Sequence, residues 1–303
     1  MGIERKCVFV KTEAQYIWGI NRKVMPEGPS IVILKEQALL FNKKKVLSIS
    51  GNSKIDLLRM QSKKVLDFRS WGKHFLICFK GFFLRIHLLM FGSYRINEKK
   101  ESAPRISFLF ENGELNLYNC SVKMIEGSPD DLYDWERDTM SPCWNPAKAL
   151  ASIKLLPETE AGDVLLNQEI FAGSGNIIKN EVLFLQKIHP ETKLGLLSLL
   201  EKKALVDAVP SYCQDFYIWK KAFVLRKHWQ IYRARECPVC HLKVSLRHTG
   251  KTDRRSFFCT YCQPLRQTKS ILQKAKKRAA IPKSGKKEKR IKNIKSQVRR
   301  VPV

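Results

Sequence analysis

Four cysteines near the C-terminal end have the spacing of a metal site. Cys237-Pro-Val-Cys240 and Cys259-Thr-Tyr-Cys262 are two C-x2-C knuckles separated by 18 residues. Knuckles at this separation bring four thiolates to one tetrahedral zinc. Four protein ligands leave no open position for water, so a zinc finger over residues 236–263 is structural and does no chemistry of its own. Between the knuckles lie Lys243, Arg247, His248, Lys251, Arg254 and Arg255. A charged turn is often only solvated, but a metal hairpin this basic suits contact with phosphate. The other local signal is Met25-Pro26-Glu27-Gly28-Pro29-Ser30. Taken alone it reads equally as a turn leading into a helix, because both prolines fall where a first helical turn tolerates them.

These residues need elements to position them. Ile31–Leu34 and Ala38–Phe41 have apolar residues at helical spacing after the two prolines. From Val65 onward, Val65–Phe68, His74–Phe79, Phe82–Leu88, Arg105–Phe110 and Leu115–Asn119 read as strands, with Lys80-Gly81 and Asn112-Gly113 as hairpin turns. Residues 25–130 are therefore expected to form an antiparallel β-sandwich carrying one N-terminal helix. Residues 131–146, with Trp, Pro and Asp and no period, read as a hinge. Beyond it, Ala147–Leu155, Gly162–Phe171, Asn176–Ile188, Lys193–Val209 and Cys213–Leu225 are five expected helices of a domain over 147–235. The fold class that follows is α+β with two domains, the second ending in the four-cysteine zinc finger.

The balance of charge bounds the function. The chain has 303 residues, with 56 Lys or Arg against 28 Asp or Glu, a net charge of +28. Such a field favours a polyanion, either nucleic acid or an anionic membrane surface. No apolar run approaches the roughly 18 residues that span a bilayer, which excludes an integral membrane protein. The first 24 residues lack a continuous apolar stretch beyond Cys7–Val10, which argues against secretion. The nine cysteines are then expected in a reducing compartment, cytoplasm or nucleus, where paired spacing means metal rather than disulfide. Cys7, Cys78, Cys120, Cys143 and Cys213 have no such spacing and read as isolated, mostly buried thiols. Arg266 to Val303 carries 15 Lys or Arg and the single acid Glu288, about half of the whole excess. Residues 264–303 thus read as a disordered basic tail, either a solubilising arm or an aid to search on DNA.

Taken together, four blocks resemble the formamidopyrimidine-DNA glycosylase and endonuclease VIII family. They are Met25–Pro29, Trp71-Gly72-Lys73, Gln168–Asn176 and the paired knuckles, in the family's order and spacing over residues 25–263. The endonuclease VIII branch is the more similar. Ile86–Arg95 resembles its loop with a contiguous wedge, and Leu117–Ser121 resembles its following strand. The Pro-Arg-Arg-Phe-Gly element of the other branch is lacking, which favours oxidised pyrimidines as substrates.

The resemblance implies a base excision repair enzyme acting on damaged DNA, with both DNA glycosylase and AP lyase activity. It implies a monomer with one structural zinc, no small-molecule cofactor and no membrane. Pro26 becomes the N-terminal amine, attacks C1′, expels the base and leaves a Schiff base, and β,δ-elimination nicks the strand. Glu27 is the acid that protonates the sugar ring oxygen, although a carboxylate is also favoured at any helix N-terminus. Lys73 contacts a phosphate beside the lesion, unless it is only a hairpin-edge lysine. Glu181 lies near the prolyl amine, and Arg254 grips the flanking phosphates.

Gly173-Ser174-Gly175-Asn176 would be the turn of a helix-two-turn-helix element. There the backbone approaches a phosphate, the next helix offers it N-terminal amides and Asn176 adds a side-chain donor. The alternative is an ordinary helix C-cap followed by an N-cap. Leu89, Met90 and Phe91 would fill the gap left by an everted base, where the plain reading is core.

Two features depart from the family. Ser30 replaces a glutamate usual after Gly-Pro. Residues 1–24 precede Met25, and an attached extension would make the Pro26 nitrogen a tertiary amide with no nucleophilicity. The economical expectation is a start at Met25, and the extension could instead be removed. The alternative is a non-catalytic zinc-finger DNA-binding protein with Pro26 blocked.

Overall fold

The computed structural model describes residues 26–267. The N-terminal extension with Met25, the Cys7 thiol and the basic tail from residue 268 lie outside the described residues. The chain begins with helix α1 (Gly28–Ala38), with Pro29 in its first turn as the sequence suggests. Strands β1 (Ser48–Ser50), β2 (Asp67–Trp71), β3 (His74–Phe79), β4 (Phe82–Ile96), β5 (Ile106–Phe110) and β6 (Gly113–Glu126) follow. They form one antiparallel sheet in the order β1-β5-β6-β4-β3-β2.

One face of this sheet and α1 enclose a single core. It includes Ile31 and Leu34 of α1, Phe75 and Ile77 of β3, Leu84 and Ile86 of β4, Phe108 of β5 and Leu115 and Leu117 of β6. The alternation of these side chains is what the period-2 pattern requires. Strand β4 runs past the expected end at Leu88 because its pairing with β6 resumes at Ser93 after a register shift. The residues between bulge out of the ladder, and Asn119 opposite them takes a left-handed backbone with φ of 48°. Gly92 closes the bulge, since a Cβ there would stand 2.8 Å from the Asn119 carbonyl oxygen.

After α2 (Pro129–Leu132), the second half is helical: α3 (Pro146–Lys154), α4 (Ala161–Leu166), α5 (Asn176–Leu185) and α6 (Leu199–Lys221). The two helices expected over 193–225 are one. Leu194–Leu196 is only a 3-10 turn, and α6 starts at a capping box in which Ser198 and Glu201 exchange hydrogen bonds. It then continues through Pro210. Proline removes one helical hydrogen bond, but Leu205, Val206, Val209, Tyr212, Cys213 and Phe216 lie buried on one side of the same rod. Their burial outweighs the break. The core they share with Phe171, Ile178 and Val182 is separate from that of the sheet.

Strands β7 (Ser245–Thr249) and β8 (Arg254–Phe258) form the C-terminal hairpin. No helix among the described residues is long and apolar enough to cross a membrane.

The segment 131–146 is tied to both halves. Trp71 Nε1 donates to the Asp134 carbonyl at 2.9 Å, and the Asp138 carboxylate accepts from Gly72 N at 3.1 Å. On its other side, Ala172 N donates to the Arg137 carbonyl and Thr139 N to the Ala172 carbonyl.

Candidate active site

Three of the blocks singled out in the sequence meet at a junction of glycines. Gly28 N donates to the Gly173 carbonyl at 2.8 Å, and a Cβ on Gly28 would stand 2.8 Å from Gly173 Cα. Gly72 (φ +52°) and Gly173 (φ +98°) have backbones that side chains rarely adopt, and a Cβ on Gly72 would reach Gly173 N at 2.9 Å. Only glycine permits both the conformation and the contact.

This junction sets Glu27 against the start of α5. Glu27 has 0% exposure, and its carboxylate accepts from Ile177 N at 2.7 Å and Ile178 N at 3.2 Å. Glycine at position 175 cannot cap α5 with a side chain, so the cap comes from a residue 150 positions away in sequence. Burial pushes the Glu27 carboxyl above the usual range, while Lys73 and the amides of Ile177, Ile178 and Gly175 pull it down. Burial is the largest of these effects. The result is a carboxyl that holds a proton more readily than a solvated one.

The amides of Ile177 and Ile178, expected to face a phosphate, are therefore engaged by Glu27 instead. Asn176 likewise points inward: it is buried, and its Nδ2 donates to the Arg255 carbonyl at 3.0 Å. Glu181 has its hydrogen-bond partners in a later turn of the chain. Both its oxygens face a turn, accepting from Gln230 N at 3.0 Å, Ile231 N at 3.0 Å and Tyr232 N at 2.7 Å. Its contacts make it the anchor of residues 230–232, which lead into the metal hairpin.

Pro26 is half-buried at the head of α1. Ser30 in the first turn receives the Glu27 amide on its hydroxyl at 3.5 Å, a local contact of the kind a capping residue makes. Lys73 and Arg254 line one cleft of about 260 Å³, with Trp71, His74, His87 and Gln168. The Lys73 ammonium has no hydrogen-bond or ion-pair partner among the described residues, and burial lowers its pKa. Arg254 opens β8 and is exposed. Leu89, Met90 and Phe91 occupy the β4 bulge and are 48%, 53% and 56% exposed. Large apolar side chains in a row at the surface are not core.

The four sulfurs of Cys237, Cys240, Cys259 and Cys262 lie within 4.8 Å of one another. The pairs Cys237–Cys262 and Cys240–Cys259 stand 3.7 and 3.3 Å apart. Zn–S bonds of about 2.3 Å give a tetrahedral edge of about 3.8 Å, so the donor set fits one such ion. Among the other thiols, Cys78, Cys120 and Cys213 are buried and Cys143 is exposed.

Several residues at the site carry no sequence signal. His74 and His87 pair across β3 and β4 in the cleft. Burial first, then nearby Arg85, His87 and Lys73, lowers the His74 pKa to about 4. Lys220 on α6 feels the charge of Glu27, and burial lowers its pKa. Lys179 on α5 has 0% exposure, and burial brings its pKa down to about 8. Lysine on a helix ordinarily reads as a solvated face, so spacing alone would not have found either one.

The fold and site define a class: a two-domain α+β protein with a six-stranded antiparallel sheet, a helical domain and a four-cysteine hairpin, in which a buried glutamate before α1 caps α5. No family model matches the chain. By sequence it is 31% identical to Endonuclease 8-like 3 of Mus musculus over 201 residues, which cover 63% of this chain and 33% of that one. It is 34% identical to Endonuclease 8-like 2 of Bos taurus over 196 residues, covering 60% and 58%. The matched chain thus spans about a third to somewhat over half of these curated relatives.

By fold it is similar to a viral DNA glycosylase, with a TM-score of 0.69, 19% identity and coverage of 78% and 99%. A Lactococcus lactis formamidopyrimidine-DNA glycosylase, solved non-covalently bound to DNA containing an AP site, gives the same TM-score at 20% identity, covering 78% and 99%. In sequence the chain is thus similar to endonuclease VIII-like proteins, and in fold to formamidopyrimidine-DNA glycosylases.

Proposed function

We propose that the protein is a DNA repair glycosylase with AP lyase activity that excises oxidised bases, pyrimidines by preference, through a Schiff base on Pro26. The observation that carries this reading is the buried Glu27, next in the chain to Pro26, held by the α5 amides and facing the charge of Lys73. The Pro26 amine forms the bond to C1′ as the glycosidic bond breaks. Glu27, its carboxyl raised by burial, gives a proton to the sugar ring oxygen and opens the ring. Loss of the C2′ proton then expels the 3′ phosphate and δ-elimination the 5′ phosphate.

In this reading Lys73 and Arg254, across one cleft, hold phosphates at the lesion, and Leu89, Met90 and Phe91 enter the space of the flipped nucleotide. A zinc ion on the four cysteines folds the hairpin that carries Arg254. Relatives named as endonuclease 8-like and a neighbour bound to AP-site DNA support the substrate class.

The test is borohydride trapping on DNA with an oxidised pyrimidine, using protein whose N-terminus is defined by mass spectrometry. Protein beginning at Pro26 should be trapped covalently. Glu27→Gln should bind the same DNA while losing about 10²–10⁴-fold in excision. Trapping by a chain whose Pro26 is still acylated would overturn the assignment of the nucleophile. Binding without any trapping by the Pro26-terminated protein would leave a DNA-binding protein only.

A further inference from the structure

Helix α5 has a second polar attachment, along its side. Three of its side chains converge on one carbonyl of the metal hairpin. The Arg255 oxygen accepts from Asn176 Nδ2 at 3.0 Å, Lys179 Nζ at 3.2 Å and Asn180 Nδ2 at 3.4 Å. Lys179 Nζ also donates to Ser256 Oγ at 2.8 Å, and Asn180 Oδ1 accepts from Phe257 N at 2.7 Å. The tip of the hairpin is held from α4. The Asp163 carboxylate accepts from Lys251 N at 2.8 Å, Thr252 N at 3.4 Å and Thr252 Oγ1 at 3.1 Å. Arg254 lies between these two anchors in the chain, two residues after Thr252 and one before Arg255.

The identity of residue 179 needs an explanation. A lysine with 0% exposure and no carboxylate in ion-pair contact among the described residues is an expensive way to fill a core. A methionine would fill the same volume without the desolvation. What the amine adds is reach: it is a long donor that joins α5 to β8. The same helix holds Glu27 through Ile177 and Ile178, within one turn of Lys179. The catalytic carboxyl and the hairpin are thus both referenced to residues 176–180.

We propose that Lys179, with Asp163 securing the tip, is a positioning residue that fixes Arg254 relative to Glu27. This rests on the part of the glycosylase reading in which Arg254 meets phosphate, and not on its chemistry. Neither residue touches DNA in this account; both act through the hairpin. A lost anchor lets Arg254 wander, and a displacement of about 1 Å is enough to weaken a contact severely.

The test is a double-mutant cycle in the full chain, read as affinity for a duplex with a tetrahydrofuran abasic analogue over a salt series. Lys179→Met should keep one bound zinc and weaken binding about tenfold, and flatten the salt slope by about 0.9, one phosphate contact. Arg254→Ala should show the same loss, and the double variant should lose little more, because both changes remove one interaction. Asp163→Ala, half-exposed and not dependent on a buried lysine, should couple to Arg254→Ala in the same way. It decides the matter alone if Lys179→Met does not fold. Additive losses, or an unchanged salt slope in both anchor variants, would overturn the proposal. The readout is binding, so a protein that binds but is never trapped by borohydride would refute the glycosylase reading without touching this one.

Discussion

At the scale of single residues, the proposed glycosylase activity rests on one carboxyl held in an unusual state. Glu27 is buried, and burial raises its pKa more than its amide partners and Lys73 lower it. A raised pKa keeps the acid form present to higher pH, and excision that needs this proton falls as pH climbs through that value. Removing the Lys73 charge takes away one of the lowering influences, so the carboxyl moves further up. Lys73→Met should therefore slow excision at every pH, through the lost phosphate contact, and also shift the alkaline limb of the single-turnover pH profile upward. A limb that stays in place or moves down would show that Lys73 and Glu27 are not electrostatically coupled. Glu27 and Lys73 were legible in the sequence as members of short blocks. Their coupling was not, because 46 positions separate them in the chain and only the glycine junction brings them together.

At the scale of elements, two local devices stand out. The β4 bulge exposes three large apolar side chains between Leu88 and Ser93, where the ladder to β6 is interrupted. Replacing Leu89, Met90 and Phe91 together by alanine should leave the melting temperature nearly unchanged, since they contribute little to the core. The same variant should slow excision from duplex DNA about tenfold or more and leave single-stranded substrate nearly untouched, because only a duplex has a stack to hold open. Equal losses on both substrates would remove the wedge role.

The other device is the contact of Gly28, Gly72 and Gly173. Gly173→Ala forces a Cβ at φ +98° to within 3.2 Å of Gly28 Cα. It should destabilise the fold by about 1–3 kcal/mol and lower excision as well, measured by thermal melting beside single-turnover kinetics. An alanine variant with wild-type melting would mean that the junction relaxes freely. Helix α6 is the element the sequence misread: a proline signals a break locally, and only the packing of one continuous buried face overrides it.

At the scale of the whole molecule, stability is divided. The sheet and the helical domain each have an extensive apolar core. The hairpin has a small one, made of Phe184, Ile231, Val244 and the cysteines Cys237 and Cys259 themselves. Metal removal should therefore unfold the hairpin and leave both larger cores in place. A strong chelator, or Cys240→Ser, is expected to abolish DNA binding while calorimetry still shows cooperative melting of the remainder. A metal-free protein with unaltered binding would contradict this.

The sequence alone determined the four cysteines that cluster, the strand-rich and helix-rich halves and the blocks that carry the family likeness. Each of these is written in local spacing: two residues between cysteines, alternation along a strand, glycine and proline at turns. Only the tertiary structure decided that Glu27 caps α5, that Glu181 anchors the 230–232 turn, and that Asn176 and the amides behind it face protein. The same holds for Lys179, whose buried amine joins α5 to β8. These are pairings of polar groups across long stretches of chain, and the burial that selects each partner does not exist until both domains have packed.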